Sequence, residues 1–195
     1  MSERVRNRRT ETLSSGWGTL TRHAFERQGE DGSWNEQTRE IYDHGHAVAC
    51  LAHDPVQGTV LLVRQFRLPV MLHEGDIEGG TAHDGMSVET PAGLIDAGES
   101  PEETMRREML EETGYEVSDL TFVADLYASP GSLSERMVLF TATYRSGEKA
   151  AEGGGLAEEG EEIEVLELPL TEARAMLADG RIRDLKTAFL IARAS

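Results

Sequence analysis

The segment Gly93–Tyr115, GLIDAGESPEETMRREMLEETGY, leaves the chain least freedom. Its helix has both ends marked. Ser100 is a capping residue, Glu103 three positions later completes a capping box, and Pro101 suits the first turn. Gly114 is a helix stop. At about 100° per residue, Met105 and Met109 share one face, with Leu110 and Thr113 further round. Glu108, Glu111 and Glu112 form a separate stripe at i, i+3, i+4. Glu112 borders the methionines and is expected to be partly buried. Arg107 lies one turn from both Glu103 and Glu111 and is expected to orient them. Three crowded carboxylates repel one another unless water bathes them or a cation balances them. Carboxylate oxygens on a rigid support suit Mg²⁺, but acidic helix faces are usually solvated, so charge spacing alone does not decide.

The rest of the chain supplies strands around this helix. Gly16–Arg27 and Asn35–Tyr42, joined by the turn-like Gln28–Gly32, predict an N-terminal hairpin. Met1–Glu11, with Arg4, Arg6, Arg8 and Arg9, reads as a mobile end or an early strand. Ala47–His53 and Thr59–Arg67 are denser strands around a turn at Asp54–Gly58. Later strands are expected at Leu120–Ala128, Arg136–Tyr144 and Ile163–Leu168, and helices at Thr171–Ala178 and Asp184–Arg193. His73–Gly85 and Gly147–Gly160 read as loops, the second one mobile. Strands mixed with helices over hairpin-length links predict an α/β fold, a mixed sheet sandwiched between helices. A 195-residue chain suits one full core with a small addition: a β-rich extension over 1–45 and a main domain over 46–195.

Charge narrows the partners. A net charge of -17 opposes nucleic-acid binding. A phosphorylated ligand would have to be met through divalent cations. The single cysteine, Cys50, lies in an apolar run and is expected to be a buried small hydrophobe. No signal-peptide or membrane-span pattern is present, so a soluble cytoplasmic protein is expected. The histidines show no ligand spacing.

Gly93, Glu99, Arg107-Glu108, Glu111-Glu112 and Gly114 fit every fixed position of the signature G-x5-E-x7-R-E-U-x-E-E-x-G-U. The chain thereby resembles the Nudix hydrolases, with Met109 and Tyr115 at positions the family usually fills with Ile, Leu or Val. The resemblance runs from about Asn35 to Ala192. Ser129-Pro130-Gly131, with Pro130 fifteen residues past Tyr115, is similar to the ADP-ribose pyrophosphatase branch. Gly153–Gly155, the acids of Glu158–Glu162, Ile163–Leu168, Gly180–Asp184 and Lys186-Thr187 resemble the GDP-mannose pyrophosphatases of the NudK type within it.

The resemblance implies roles. Glu108 and Glu112 would be the main Mg²⁺ ligands (Mn²⁺ could substitute), with Glu111, the Ala92 carbonyl and Glu161 completing the set. Arg39, Glu40, Arg67, Gly93, Leu94, Glu135 and Lys186 would touch the substrate, Arg67 at a phosphate. Glu159, Glu161 and Glu111 are the candidates for the catalytic base, and the sequence does not choose between the two loop acids. His73–Gly85 departs from the family by its extra length. The implied reaction is in-line attack of water on a nucleoside diphosphate sugar, GDP-mannose first and ADP-ribose second. A ligand-binding module without catalysis is the third reading. A homodimer built through the N-terminal extension is also implied.

Overall fold

In the computed structural model, residues 4–74 and 84–194 are described. The chain forms two compact units. One is Met1–His46 with Leu126–Met137, and the other is Ala47–Asp125 with Val138–Ser195.

In the first unit, β1 (Val5–Ser15), β2 (Thr19–Gln28) and β3 (Trp34–Asp43) form an antiparallel sheet in that order. The predicted hairpin is present and gains a third strand. The Arg-rich start takes the early-strand alternative from Val5 onward, and Met1–Glu3 lie outside the described residues. Nothing in its pattern marks β1, because ten of its eleven positions are exposed. Pairing with β2 makes it a strand, with register shifts near Arg6–Arg9 and Thr12–Ser14.

The larger sheet has seven strands. The path is β10 (Glu164–Pro169), β5 (Thr59–Phe66), β4 (Ala47–Asp54), β9 (Arg136–Thr143), β8 (Ser118–Tyr127). Two short strands, β6 (Met86–Glu89) and β7 (Ala92–Leu94), were not marked in the sequence. They decide where the site lies. β4 and β5 pair only beside their turn, at His53–Val60 and Asp54–Thr59. Beyond it, β6 takes the edge of β5 and β7 takes the edge of β4. The segment 86–94 thus wedges the central hairpin open.

Both faces of the sheet are covered. Val48, Cys50, Ala52 and Leu61 pack with Met105, Met109, Tyr115, Phe140, Ala142 and Tyr144 in one core. The alternate residues Ala49 and Leu51 point the other way and are also buried. Helix α2 (Pro101–Glu108) packs on β4 and β7, and α4 (Leu185–Arg193) on β4. Helix α3 (Leu170–Ala178) packs on β5 and β10. This is the expected α/β sandwich. Cys50 is buried as expected, and burial pushes its thiol pKa well up.

A short helix, α1 (Leu68–Glu74), occupies the start of the predicted 73–85 loop. Residues 75–83 of that loop, His83 included, lie outside the described residues. Among the described residues no helix is long and apolar enough to cross a membrane.

Candidate active site

Helix α2 is built as its sequence dictates. The Ser100–Glu103 capping box is complete, with Pro101 in the first turn. Met105 and Met109 are fully buried. One expectation fails: Arg107 does not reach Glu103, because Glu103 is held by the Ser100 backbone and hydroxyl. Arg107 instead binds Glu99, Glu108 and Glu111, with Asp96 at 3.5 Å. A second departure follows Glu108. The α-helix gives way to a π-helical turn, Met109–Thr113, closed by Gly114 in the left-handed conformation. Wider turns of this kind are frequent at functional sites. The 100° placement therefore holds only to Glu108.

Glu112 is 2% exposed, more buried than expected. Its Oε2 accepts the Ala92 N–H at 3.0 Å, which ties β7 to the end of the helix. Burial pushes the Glu112 carboxyl up to about 8, in spite of that hydrogen bond, and the Glu108 and Glu161 charges add to the rise. Burial likewise lifts Glu108 to about 7 against the pull of Arg107, with Glu111 and Glu161 again adding. Gly93 explains itself here: a Cβ on it would run into the Glu108 carboxylate. Leu94, half-buried, pairs with Ala47.

The loop Gly147–Gly160 is fastened down along part of its length. Ala150 and Ala151 N–H donate to the Gly114 carbonyl, Gly154 N–H to Glu112 O, and Gly155 N–H to Glu111 O. The glycines are needed for this approach. A Cβ on Gly153 would lie 2.5 Å from the Thr113 carbonyl carbon, and one on Gly155 2.6 Å from Glu161 Oε2. Beyond them the chain turns at Ala157–Glu159 and reaches Glu161. The Glu161 Oε2 accepts the Leu156 N–H at 3.0 Å. The Glu159 side chain lies outside the described residues.

Arg67 follows β5 directly. Its Nε and Nη2 clasp both oxygens of Glu89 at 3.0 and 2.9 Å. Lys186 Nζ reaches Glu89 Oε2 at 2.8 Å and Asp184 Oδ1 at 3.0 Å. Glu89 and Asp184 were assigned no role from sequence. The acid ahead of Pro91 and the acid two before Lys186 were the available signals, but their partners are distant in the chain.

Residues expected to touch substrate also occur in the first unit. Arg39 is exposed and donates to Thr38 O and Gln37 Oε1. Glu40 accepts from Arg22 at 2.9 Å. Glu135 lies 3.7 Å from His44, whose ring stacks on Trp17.

The donors suit a hard divalent cation. Glu108, Glu111, Glu112 and Glu161 offer oxygens only; Glu112 is buried and Glu108 half-buried, and burial raises the carboxyl pKa of both. Among the described residues no three such side chains already converge on one point. The reason is visible, since Arg107 draws Glu108 and Glu111 aside and the Ala92 N–H occupies Glu112. Mg²⁺ tolerates an open set because waters and substrate oxygens complete its octahedron.

This acid-lined turn agrees with the match of residues 43–188 to the NUDIX domain model. The chain belongs to the Nudix family. Residues 4–42 match the model described as the GDP-mannose pyrophosphatase NudK N-terminal domain. A GDP-mannose pyrophosphatase of Yersinia enterocolitica is 42% identical over 98% of this chain and 95% of its own length. Another, from Pectobacterium atrosepticum, is 42% identical over 93% of this chain and 89% of its own. A solved structure described as an ADP compounds hydrolase superposes with a TM-score of 0.67 at 21% identity, covering 94% of this chain and 90% of that one. At that identity it speaks for the fold alone.

Proposed function

We propose that this Nudix protein hydrolyses the pyrophosphate bond of a nucleoside diphosphate sugar, GDP-mannose foremost, to GMP and mannose 1-phosphate, with Mg²⁺ as cofactor. The observation that carries the substrate is the likeness to GDP-mannose pyrophosphatases over 98% of the chain, with the N-terminal segment matching its own model.

The ligands would be Glu108 and Glu112, joined by Glu111, Glu161 and the Ala92 carbonyl. A divalent cation bound there would neutralise the diphosphate and stabilise charge growing on the attacked phosphorus. The chain's own groups do the rest. Arg107 orients Glu108 and Glu111. Arg67 offers its guanidinium to a diphosphate oxygen. A carboxylate of the Glu159–Glu161 turn, or Glu111, takes the proton of the attacking water. Gly93 leaves room for the Glu108 carboxylate, and Gly93 and Leu94 are proposed substrate contacts. Arg39, Glu40 and Glu135 are proposed contacts to nucleotide or sugar. The N-terminal extension, residues 1–45, is proposed to pair two copies into a homodimer, acting in the cytoplasm.

The test is a panel of GDP-mannose, ADP-ribose, other nucleotide sugars and nucleoside triphosphates with Mg²⁺, following monophosphate release. An EDTA control belongs beside it. Metal-dependent turnover with GDP-mannose ranked first is expected. ADP-ribose ranked first would move the substrate within the family. Binding of a nucleotide sugar without turnover of any compound would make the protein a sensor.

A further inference from the structure

Gln65, near the end of β5, is a buried polar side chain that no step of the proposed reaction uses. It is 7% exposed, and its amide Nε2 is buried with no hydrogen-bond partner among the described residues. Buried amide groups are nearly always paired, because lost hydration is otherwise not recovered.

The strand fixes the direction of this side chain. Leu61, Val63 and Gln65 alternate with Leu62 and Arg64 and share one face. Leu61 packs in the core with Met105 and Met109, so Gln65 lies on the face covered by α2 and the π turn. Three parts of the site border it there. Further along the strand is Arg67, whose guanidinium reaches back to Glu89, the ladder partner of Val63. To one side is Ser87 of β6, opposite Gln65. To the other is β10, which pairs Glu164 with Arg64. One step earlier in β10's chain, Ile163 falls beside Gln65, with its N–H on the Gly154 carbonyl. A Cβ on Gly155 would meet both Ile163 Cδ1 and Glu161 Oε2, so the Glu161 side chain gathers with Ile163 at the root of the glycine loop.

Glu161 is only half engaged. Its Oε2 accepts the Leu156 N–H at 3.0 Å, and its Oε1 has no partner among the described residues. Its charge adds to the raised pKa of Glu108 and of Glu112, which places it beside the acid stripe. Carboxylates accept hydrogen bonds and repel an amide oxygen, so it is the nitrogen end of Gln65 that suits these surroundings.

We propose that Gln65 is a positioning residue for the loop acid: its Nε2 donates to the Glu161 carboxylate when a divalent cation draws Glu161 toward Glu108 and Glu112. The metal-free protein carries the unpaired amide and the metal-bound protein pairs it. Part of the affinity for the cation therefore comes from this hydrogen bond. This rests on the reading of Glu161 as a metal ligand in the proposed function.

Calorimetric titration of Mg²⁺ into wild type, Gln65→Leu, Glu161→Ala and the double variant tests it, beside urea unfolding of each in EDTA. Gln65→Leu should weaken Mg²⁺ binding on the order of tenfold, as for other groups that hold a metal ligand in place. Its stability in EDTA should be unchanged or slightly higher, since the amide has no partner there to lose. Glu161→Ala should weaken binding as well. Adding Gln65→Leu to it should cost less than about twofold more, because both changes remove one interaction. If Gln65→Leu does not fold, Gln65→Met, closer to glutamine in shape, carries the test. Undiminished Mg²⁺ affinity in Gln65→Leu overturns the proposal. So does a loss that persists in full beside Glu161→Ala, and so does a lower stability in EDTA, which would make the amide a structural group. If Glu161→Ala leaves Mg²⁺ binding unchanged, the reading of Glu161 falls and the inference with it. If Glu161→Ala weakens binding and Gln65→Leu does not, only the inference falls.

Discussion

Glu89 and Glu112 are the same residue type, equally hidden at 4% and 2% exposure, and their electrostatics are opposite. Burial raises both. At Glu89 the Arg67 clasp and the Lys186 ammonium more than offset it, and the carboxyl falls to about 2. At Glu112 a single backbone N–H and a more distant Arg67 do not, and the carboxyl stands at about 8. Burial alone therefore says little about an acid. Glu89 has the cations it needs from the chain, whereas Glu112, with Glu108 beside it, has no such cation, as the proposed metal site requires. That contrast separates the ion-paired part of the site from the acid stripe proposed to bind metal.

The harshest way to probe the contrast is to neutralise each acid without changing its shape. Glu89→Gln removes the shared partner of the half-buried Arg67 and Lys186 and should cost about 1–3 kcal/mol in denaturant unfolding. Glu112→Gln, measured in EDTA at pH 8, should leave stability unchanged or slightly higher. Equal losses in the two variants would erase the distinction. In turnover the ranking should reverse. Glu112→Gln or Glu108→Gln should lower kcat by ~10²-fold or more through loss of a proposed metal ligand, against a smaller effect for Glu89→Gln.

A milder probe moves the loop rather than the acids. Gly153→Ala puts a methyl group against the Thr113–Gly114 backbone at φ +74°. It should cost about 1–2 kcal/mol from the left-handed conformation alone, and should also lower kcat, because the turn carrying Glu161 is displaced. A variant with full kcat would show that the backbone clasp does not position that turn.

The gentlest probe is pH. Glu89, with its folded pKa below its ordinary 4.5, contributes stability that is present above that value and lost as pH falls toward about 2. Glu112 has the opposite sign. Its folded pKa lies above 4.5, so the folded metal-free protein holds a proton the unfolded chain has released, and stability drops as pH rises from about 4.5 toward about 8. Urea unfolding in EDTA at pH 5 and pH 8 checks this. Glu112→Gln should show a smaller drop between the two than the wild type.

The acid stripe of this comparison was legible in the sequence, and the ion pairs around Glu89 were not. Glu108, Glu111 and Glu112 fall within one turn of a helix whose cap and stop are written in Ser100, Glu103 and Gly114. Their closeness follows from local geometry, although the π turn after Glu108 does not. Arg67, Glu89 and Lys186 stand 22 and 97 residues apart along the chain. No spacing rule joins them. β6 brings Glu89 opposite Val63, and α4 brings Lys186. The same limit hid β6 and β7, four and three residues long. Strands that short carry too little alternation to read and exist because β4 and β5 leave open edges. The strongly apolar β4 and β5 announced themselves, as did α4 through its Asp184 cap. The exposed, arginine-rich β1 did not, because its partner strand alone makes it one.

The most direct test of the central claim is a calorimetric titration of Mg²⁺ into wild type, Glu112→Gln and Glu89→Gln at pH 8. The account predicts saturable binding to the wild type and to Glu89→Gln, and binding weakened at least tenfold in Glu112→Gln. Undiminished binding in Glu112→Gln would contradict it.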